Sequence, residues 1–108
     1  MSNPKPPQHL SPAARRWFRE ISAEYGIDDK PGLLLLAQAA EAWDRAAECR
    51  AAIERDGSCT RDRFGQTRAH PLLSVERDAR AAFLQAMKHL QLDVAAIPPH
   101  GKTRNAST

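Results

Sequence analysis

The sequence predicts an all-α fold, a small helical domain of about three helices with a long central one. Three observations carry this. Three segments place apolar residues at steps of three and four, the spacing of one helix face. The first two open on capping residues and close at glycines. Strand-like alternation never runs beyond a few residues, and no internal repeat is visible. The chain has 108 residues, 42% hydrophobic and 27% charged, a composition suited to one small globular domain rather than a disordered segment. The longest purely apolar run, Leu33 to Ala37, is far below the roughly 20 residues of a membrane helix.

Residues 1–10, with Pro4, Pro6 and Pro7, read as an extended lead-in without the apolar stretch of a secretory signal. Ser11 then offers an N-cap, and Pro12 sits at the first helical position, where its missing N–H costs nothing. Ala14, Trp17, Phe18, Ile21 and Tyr25 form one apolar face, and Gly26 ends the helix. Asp28 and Asp29 can cap a second helix from about Gly32 to Asp56, stopped by Gly57. Two adjacent stripes run down it. Leu35, Ala39, Ala42, Ala46, Cys49 and Ile53 make a heptad-like seam of small residues, and Leu36, Ala40, Trp43 and Ala47 make the other. The pair is wide for a single neighbour in a small domain. This is either a core helix touched on two sides or a helix whose seam meets another subunit.

Residues 57–70 break the pattern. Gly57-Ser58-Cys59-Thr60 and Phe64-Gly65-Gln66-Thr67 carry turn residues, with three arginines against one acid. A basic loop or short irregular hairpin is expected, and connections of this length are often functional. Pro71 then opens a third helix with the face Leu72, Val75, Ala79, Ala82, Phe83, Ala86, Met87 and Leu90. Glu76 and Arg80 form a favourable i,i+4 pair, and Leu92 packs just past the helix end. The helical domain is thus residues 11–97, and composition predicts a flexible tail over 98–108.

The formal charge is +3, and its distribution is uneven. Residues 28–56 hold seven acids and four bases, so the excess of positive charge lies elsewhere. It gathers at Arg15, Arg16 and Arg19, at Arg61, Arg63 and Arg68, and at Lys102 and Arg104. Arginine dominates, and its planar fork suits phosphate. Solvated faces would look the same from charge alone.

Catalysis finds little support. There is no glycine-rich phosphate loop and no nucleophile elbow. Cys49 and Cys59 make no disulfide framework, and with His70 they lack zinc-ligand spacing. Ser11 is explained as a cap. His70, ahead of Pro71, is better placed to cap the third helix than to act on a substrate. Glu20, Glu24, Asp28 and Asp29 read as solvated or capping carboxylates, and Trp17 and Trp43 fall at core positions. No cofactor and no metal is expected. The residues point to a binding or assembly module rather than an enzyme.

Several motifs in one order then become specific. Pro6-Pro7-Gln8-His9-Leu10-Ser11-Pro12-Ala13-Ala14-Arg15-Arg16-Trp17 resembles the start of the P27 family of bacteriophage terminase small subunits. Tyr25-Gly26-Ile27, the alanine-rich stretch from Leu34 to Arg50 with Trp43-Asp44-Arg45, His70-Pro71-Leu72-Leu73, Glu76-Arg77-Asp78-Ala79-Arg80 and Leu90-Gln91-Leu92-Asp93 are also similar to it. The likeness spans about Pro6 to Pro99. It implies a non-catalytic part of the viral genome-packaging motor. Such a subunit binds double-stranded viral DNA, recruits the large terminase subunit, modulates that subunit's ATPase and nuclease, and assembles as a ring-shaped homo-oligomer in the cytoplasm of the bacterial host. On this reading the DNA contacts are Arg15, Arg16, Arg19, Arg61, Arg63 and Arg68. The subunit interface is the seam Leu35, Ala39, Ala42, Ala46, Cys49 and Ile53, since a ring protomer needs two heterologous contacts. Lys102 and Arg104 are assigned to the large subunit. A helical adaptor of phage head assembly that does not bind DNA would explain the long apolar helix equally well. A small nuclease using His70 is the third reading.

Overall fold

The structure is a computed structural model that describes residues 4–92, with the side chain of Thr60 left aside. Its elements run α1 (Pro12–Glu24), α2 (Lys30–Asp56), β1 (Cys59–Arg61), β2 (Thr67–Ala69) and α3 (Leu72–Leu90). The fold is predominantly all-α, as the periodicity predicts. The basic segment between α2 and α3 is an ordered two-stranded hairpin. The expected tail and the residues 93–97 lie outside the described residues.

Local signals fix the helix ends. Ser11 in extended conformation accepts from the Ala14 amide at 3.1 Å, with Pro12 beginning the helix. Asp29 does the same for α2, its carboxylate accepting from the Gly32 amide at 2.9 Å. Gly32 leaves room for that cap, because a Cβ would stand 2.8 Å from the Asp29 carboxylate and 2.9 Å from the Ile27 side chain and one of them would have to shift. At the far end of α3, Gln91 turns left-handed and the Leu92 amide donates back to Met87 O, which folds Leu92 onto the core.

α2 is the spine. α3 returns along it as an antiparallel partner with the most extensive packing in the molecule, and α1 lies across its N-terminal half. The core joins Leu10, Ala14, Trp17, Phe18 and Ile21 to Leu36, Ala39 and Ala40 and to Phe83, Ala86 and Met87. Leu36 is fully enclosed, worth about 2–3 kcal/mol of burial. Trp17 and Phe83 meet at 5.8 Å between centroids. Trp43 packs against this core, as its spacing predicts.

The described end of the lead-in is docked on the helices. Residues 8–10 turn, Leu10 is buried, and His9 Nε2 lies 2.7 Å from Glu41 on α2. Asp44 on α2 takes both the Ser11 hydroxyl (2.6 Å) and the Ser11 amide (2.8 Å), which ties the start of α1 to the middle of the spine.

The seam assigned to a subunit interface needs correction. Ala39, Ala46 and Cys49 are buried within the protomer, since small side chains on α2 let neighbouring helices approach closely. Only Leu35, Ala42 and Ile53 of that stripe keep partial exposure. The third helix differs too. Val75 and Ala82, expected inside, are exposed, whereas Glu76 is buried. Glu76 accepts from Arg80 at 3.0 Å and faces Arg50 of α2 at 3.8 Å, so the i,i+4 pair extends into a tie between helices.

Candidate nucleic-acid interface

The hairpin hangs on a polar hinge. The Gly57 turn leaves α2, and the chain comes back at His70, whose amide donates to Ser58 O at 2.8 Å. The imidazole is buried, and it bridges two helices. Nδ1 accepts from the Leu72 amide at 3.0 Å, and Nε2 lies 3.0 Å from the Asp56 carboxylate. An Nδ1 that accepts leaves the proton on Nε2, so the neutral ring caps α3 and donates to the last residue of α2. The capping role predicted for His70 holds. The Asp56 carboxyl is held below its ordinary range, first by this hydrogen bond and then by Arg55.

The strands pair antiparallel, with Cys59 opposite Ala69, Thr60 opposite Arg68 and Arg61 opposite Thr67. Opposed residues share a face and successive residues alternate, so Arg61 and Arg68 stand on opposite faces of the ribbon. Every described side chain in the two strands is exposed. Among the described residues the ribbon therefore has no side-chain packing against the helices, and its order is internal. Asp62 supplies much of it. One carboxylate oxygen accepts from the Phe64 and Gln66 amides, each at 2.9 Å, and the other from Arg68 Nε at 2.9 Å. These bonds, Arg68 first, hold the Asp62 carboxyl below its ordinary value. The Asp62 amide donates to Gln66 O and the Gly65 amide to Asp62 O. Gly65 sits at φ 79°, which glycine alone adopts without strain, and it closes a three-residue loop of Arg63, Phe64 and Gly65.

Two side chains project from that loop. Phe64 is 75% exposed, and the Arg63 guanidinium lies 5.3 Å from its ring centroid. Arg61 and Arg63 have no acidic partner among the described residues. Asp62, the one acid of the segment, is turned inward to the loop amides and Arg68, so the arm presents net positive charge.

The arginines of α1 divide. Arg16 and Arg19 are exposed. Arg15 is half-buried, and its Nη1 donates to Gln8 O (3.0 Å) and Leu10 O (3.1 Å). It staples the lead-in, which removes it from the free cations expected on this helix. The structure does not bring the two arginine groups together in one protomer. α1 starts beside Asp44, and the hairpin begins beyond Asp56, about 18 Å further along the spine. Lys102 and Arg104 lie outside the described residues.

Other candidates give less. Cys49 is buried, Cys59 is exposed on the arm, and His70 is committed to Asp56 and Leu72. A shallow groove between α2 and α3 is lined by Leu35, Gln38, Ala42, Val75 and Ala82 together with the ionisable Glu41, Arg45 and Asp78, and with His89 toward one end. No described helix is long and apolar enough to cross a membrane.

A family model described as phage terminase, small subunit, matches residues 14–97. This chain belongs to the phage terminase small-subunit family. The matched range runs from Ala14 in α1 through α2, the hairpin and α3. No curated protein and no solved structure matches the chain. The family places this small subunit in phage DNA packaging, with phage DNA and the large terminase subunit as the partners it implies, and it is generally the non-catalytic component. What sequence reasoning missed is Phe64. An aromatic in a turn has no periodicity, and its neighbours Asp62 and Gly65 were the available signal for a tight, exposed tip.

Proposed function

We propose that this small terminase subunit binds double-stranded viral DNA through exposed arginines, Arg16 and Arg19 on α1 and Arg61, Arg63 and Arg68 on the hairpin. It presents that DNA to the large subunit, whose ATPase and nuclease it modulates, and it acts in the cytoplasm of the bacterial host. The observation that carries this reading is the arm itself. It is an ordered, solvent-surrounded ribbon with an arginine on each face and one at the tip, and the only acid it holds is turned inward. An arm whose described strand side chains are all exposed contributes little to the helical core, so its order serves contact with something else.

Within an assembly the separated arginine groups of one protomer come into register with those of its neighbours. The ring is a homo-oligomer closed by heterologous contacts. Its contact uses the apolar side chains left outside the protomer core: Leu34 (61% exposed) and Leu84 (50% exposed), with Leu35, Ala42 and Ile53 of the original seam. Lys102 and Arg104 remain the proposed contact with the large subunit.

The test is DNA affinity, by fluorescence anisotropy on duplex from the phage genome, over a range of salt. Each arginine–phosphate contact lowers the log–log slope by about 0.9. A steep slope that flattens in a variant with Arg16, Arg19, Arg61 and Arg63 changed to alanine supports the assignment. A flat response, or unchanged binding by that variant, removes it. Light scattering after size exclusion tests the ring. A stable assembly of many subunits is expected, and a strict monomer at all concentrations contradicts it.

A further inference from the structure

We propose that the tip of the hairpin is a wedge: Phe64 enters the minor groove of duplex DNA and partly unstacks a base step, while Arg61 and Arg68 grip the phosphates on either side. This rests on the DNA-binding reading above and adds to it a defined site, a groove and a deformation of the DNA.

Four features converge on it. The first is exposure. Phe64 is 75% exposed at the end of an arm whose described strand side chains are all exposed, so no described residue of its own protomer covers it. A large apolar ring in that place lowers its free energy only by entering something. The second is rigidity. Three bonds to Asp62 and the left-handed Gly65 fix the loop that carries the ring, so little entropy is lost when it inserts. The third is charge geometry. Arginines on opposite faces suit a tip that enters a groove while the ribbon behind it meets phosphates on both flanks. A single flat contact would place them on one face. Arg63, 5.3 Å from the ring, adds a cation at the point of entry. The fourth is size. Three residues per strand hold the tip about 10 Å out from the hinge, clear of the body. The ribbon with its side chains is wider than the ~6 Å opening, so only the tip enters. Arginine with an apolar wedge is the side-chain pairing used for minor-groove entry, where kinks of roughly 20–90° follow.

The charge chooses the occupant. A protein partner would have to be acidic to meet this arm, whereas duplex DNA supplies phosphates on both flanks and a stacked apolar step at the centre.

The test uses the full chain and a duplex of about 20 bp labelled at both ends, with energy transfer reporting bending and anisotropy reporting binding. The wild-type protein is expected to bind and to raise energy transfer. Phe64→Ala is expected to bind with less than about tenfold loss, because unstacking costs offset much of what the ring gains, and to lose most of the bending signal. Phe64→Trp is expected to restore it. The ring contributes no core contact, so circular dichroism should be unchanged in both variants. Binding and bending by Phe64→Ala equal to the wild type overturns the wedge and leaves the DNA-binding reading standing, as does wild-type binding without bending. Normal bending by Phe64→Ala together with loss of large-subunit capture makes the ring a protein anchor and also overturns it. If the wild-type chain binds no duplex, both readings fall.

Discussion

The helical body and the β-hairpin of this small terminase subunit are held together by opposite means. In the body, Leu36, Phe83, Phe18 and Trp17 are withdrawn from water, and order comes from apolar packing between α1, α2 and α3. In the hairpin every described strand side chain is exposed, and order comes from one carboxylate and a glycine turn, with a buried histidine at the hinge. An isolated two-stranded hairpin is marginal in water. This one is anchored at its base to the ends of α2 and α3. The difference teaches where to look for function: the stable part positions, and the part whose order brings no burial makes contact.

Changes in the body should act on stability and leave the arm's chemistry alone. The largest effect is expected from Phe83→Ala, which opens a cavity beside Trp17 and costs about 3–5 kcal/mol, read by chemical denaturation. Glu76→Ala comes next. It removes the buried carboxylate that accepts from Arg80 and faces Arg50, and a loss of about 1–3 kcal/mol is expected. A loss near zero would show that the packing of α2 on α3 does not depend on that tie. Ser11→Ala removes an N-cap and the hydroxyl bond to Asp44, with about 1–2 kcal/mol expected.

Changes in the arm should do the reverse. Asp62→Ala should leave Tm unchanged while the Phe64 and Gln66 amides exchange faster with solvent. The arm should also respond to acid before the body does. Asp56 and Asp62 are both held below the ordinary aspartate value of 3.8. A lowered pKa in the folded state stabilises above the unfolded value and is lost as pH falls through the folded one. Hairpin amides should therefore stay protected at pH 5 and lose protection below about pH 3.8, with helical circular dichroism persisting further down. Simultaneous loss of both signals would erase the distinction between the two regions.

Much of the body is legible in the sequence. Ser11, Asp29, Gly26 and Gly57 mark helix ends because capping depends on neighbours along the chain. Periodicity finds each face but not the arc that a neighbouring helix covers. That is why Val75 and Ala82 read as core positions, why the i,i+4 spacing of Glu76 and Arg80 does not reveal the tie to Arg50, and why Ala39, Ala46 and Cys49 read as a core stripe or a subunit seam alike. The groups responsible, α3 for α2 and Arg50 for Glu76, lie far away along the chain. The candidate site is half legible. Charge clustering marks Arg61, Arg63 and Arg68, but the opposite-face placement of Arg61 and Arg68 needs the strand register, and the tie of Arg15 to the lead-in needs the turn at residues 8–10.

The central claim is that the arm makes contact with DNA and the body does not need it. Arg61→Ala combined with Arg63→Ala tests it most directly, with unfolding and DNA binding measured on the same preparation across a range of salt. Unchanged unfolding with a log–log salt slope reduced by about 2 is the expected result. An unchanged slope, or a body that unfolds more easily when only these two exposed arginines are lost, would contradict it.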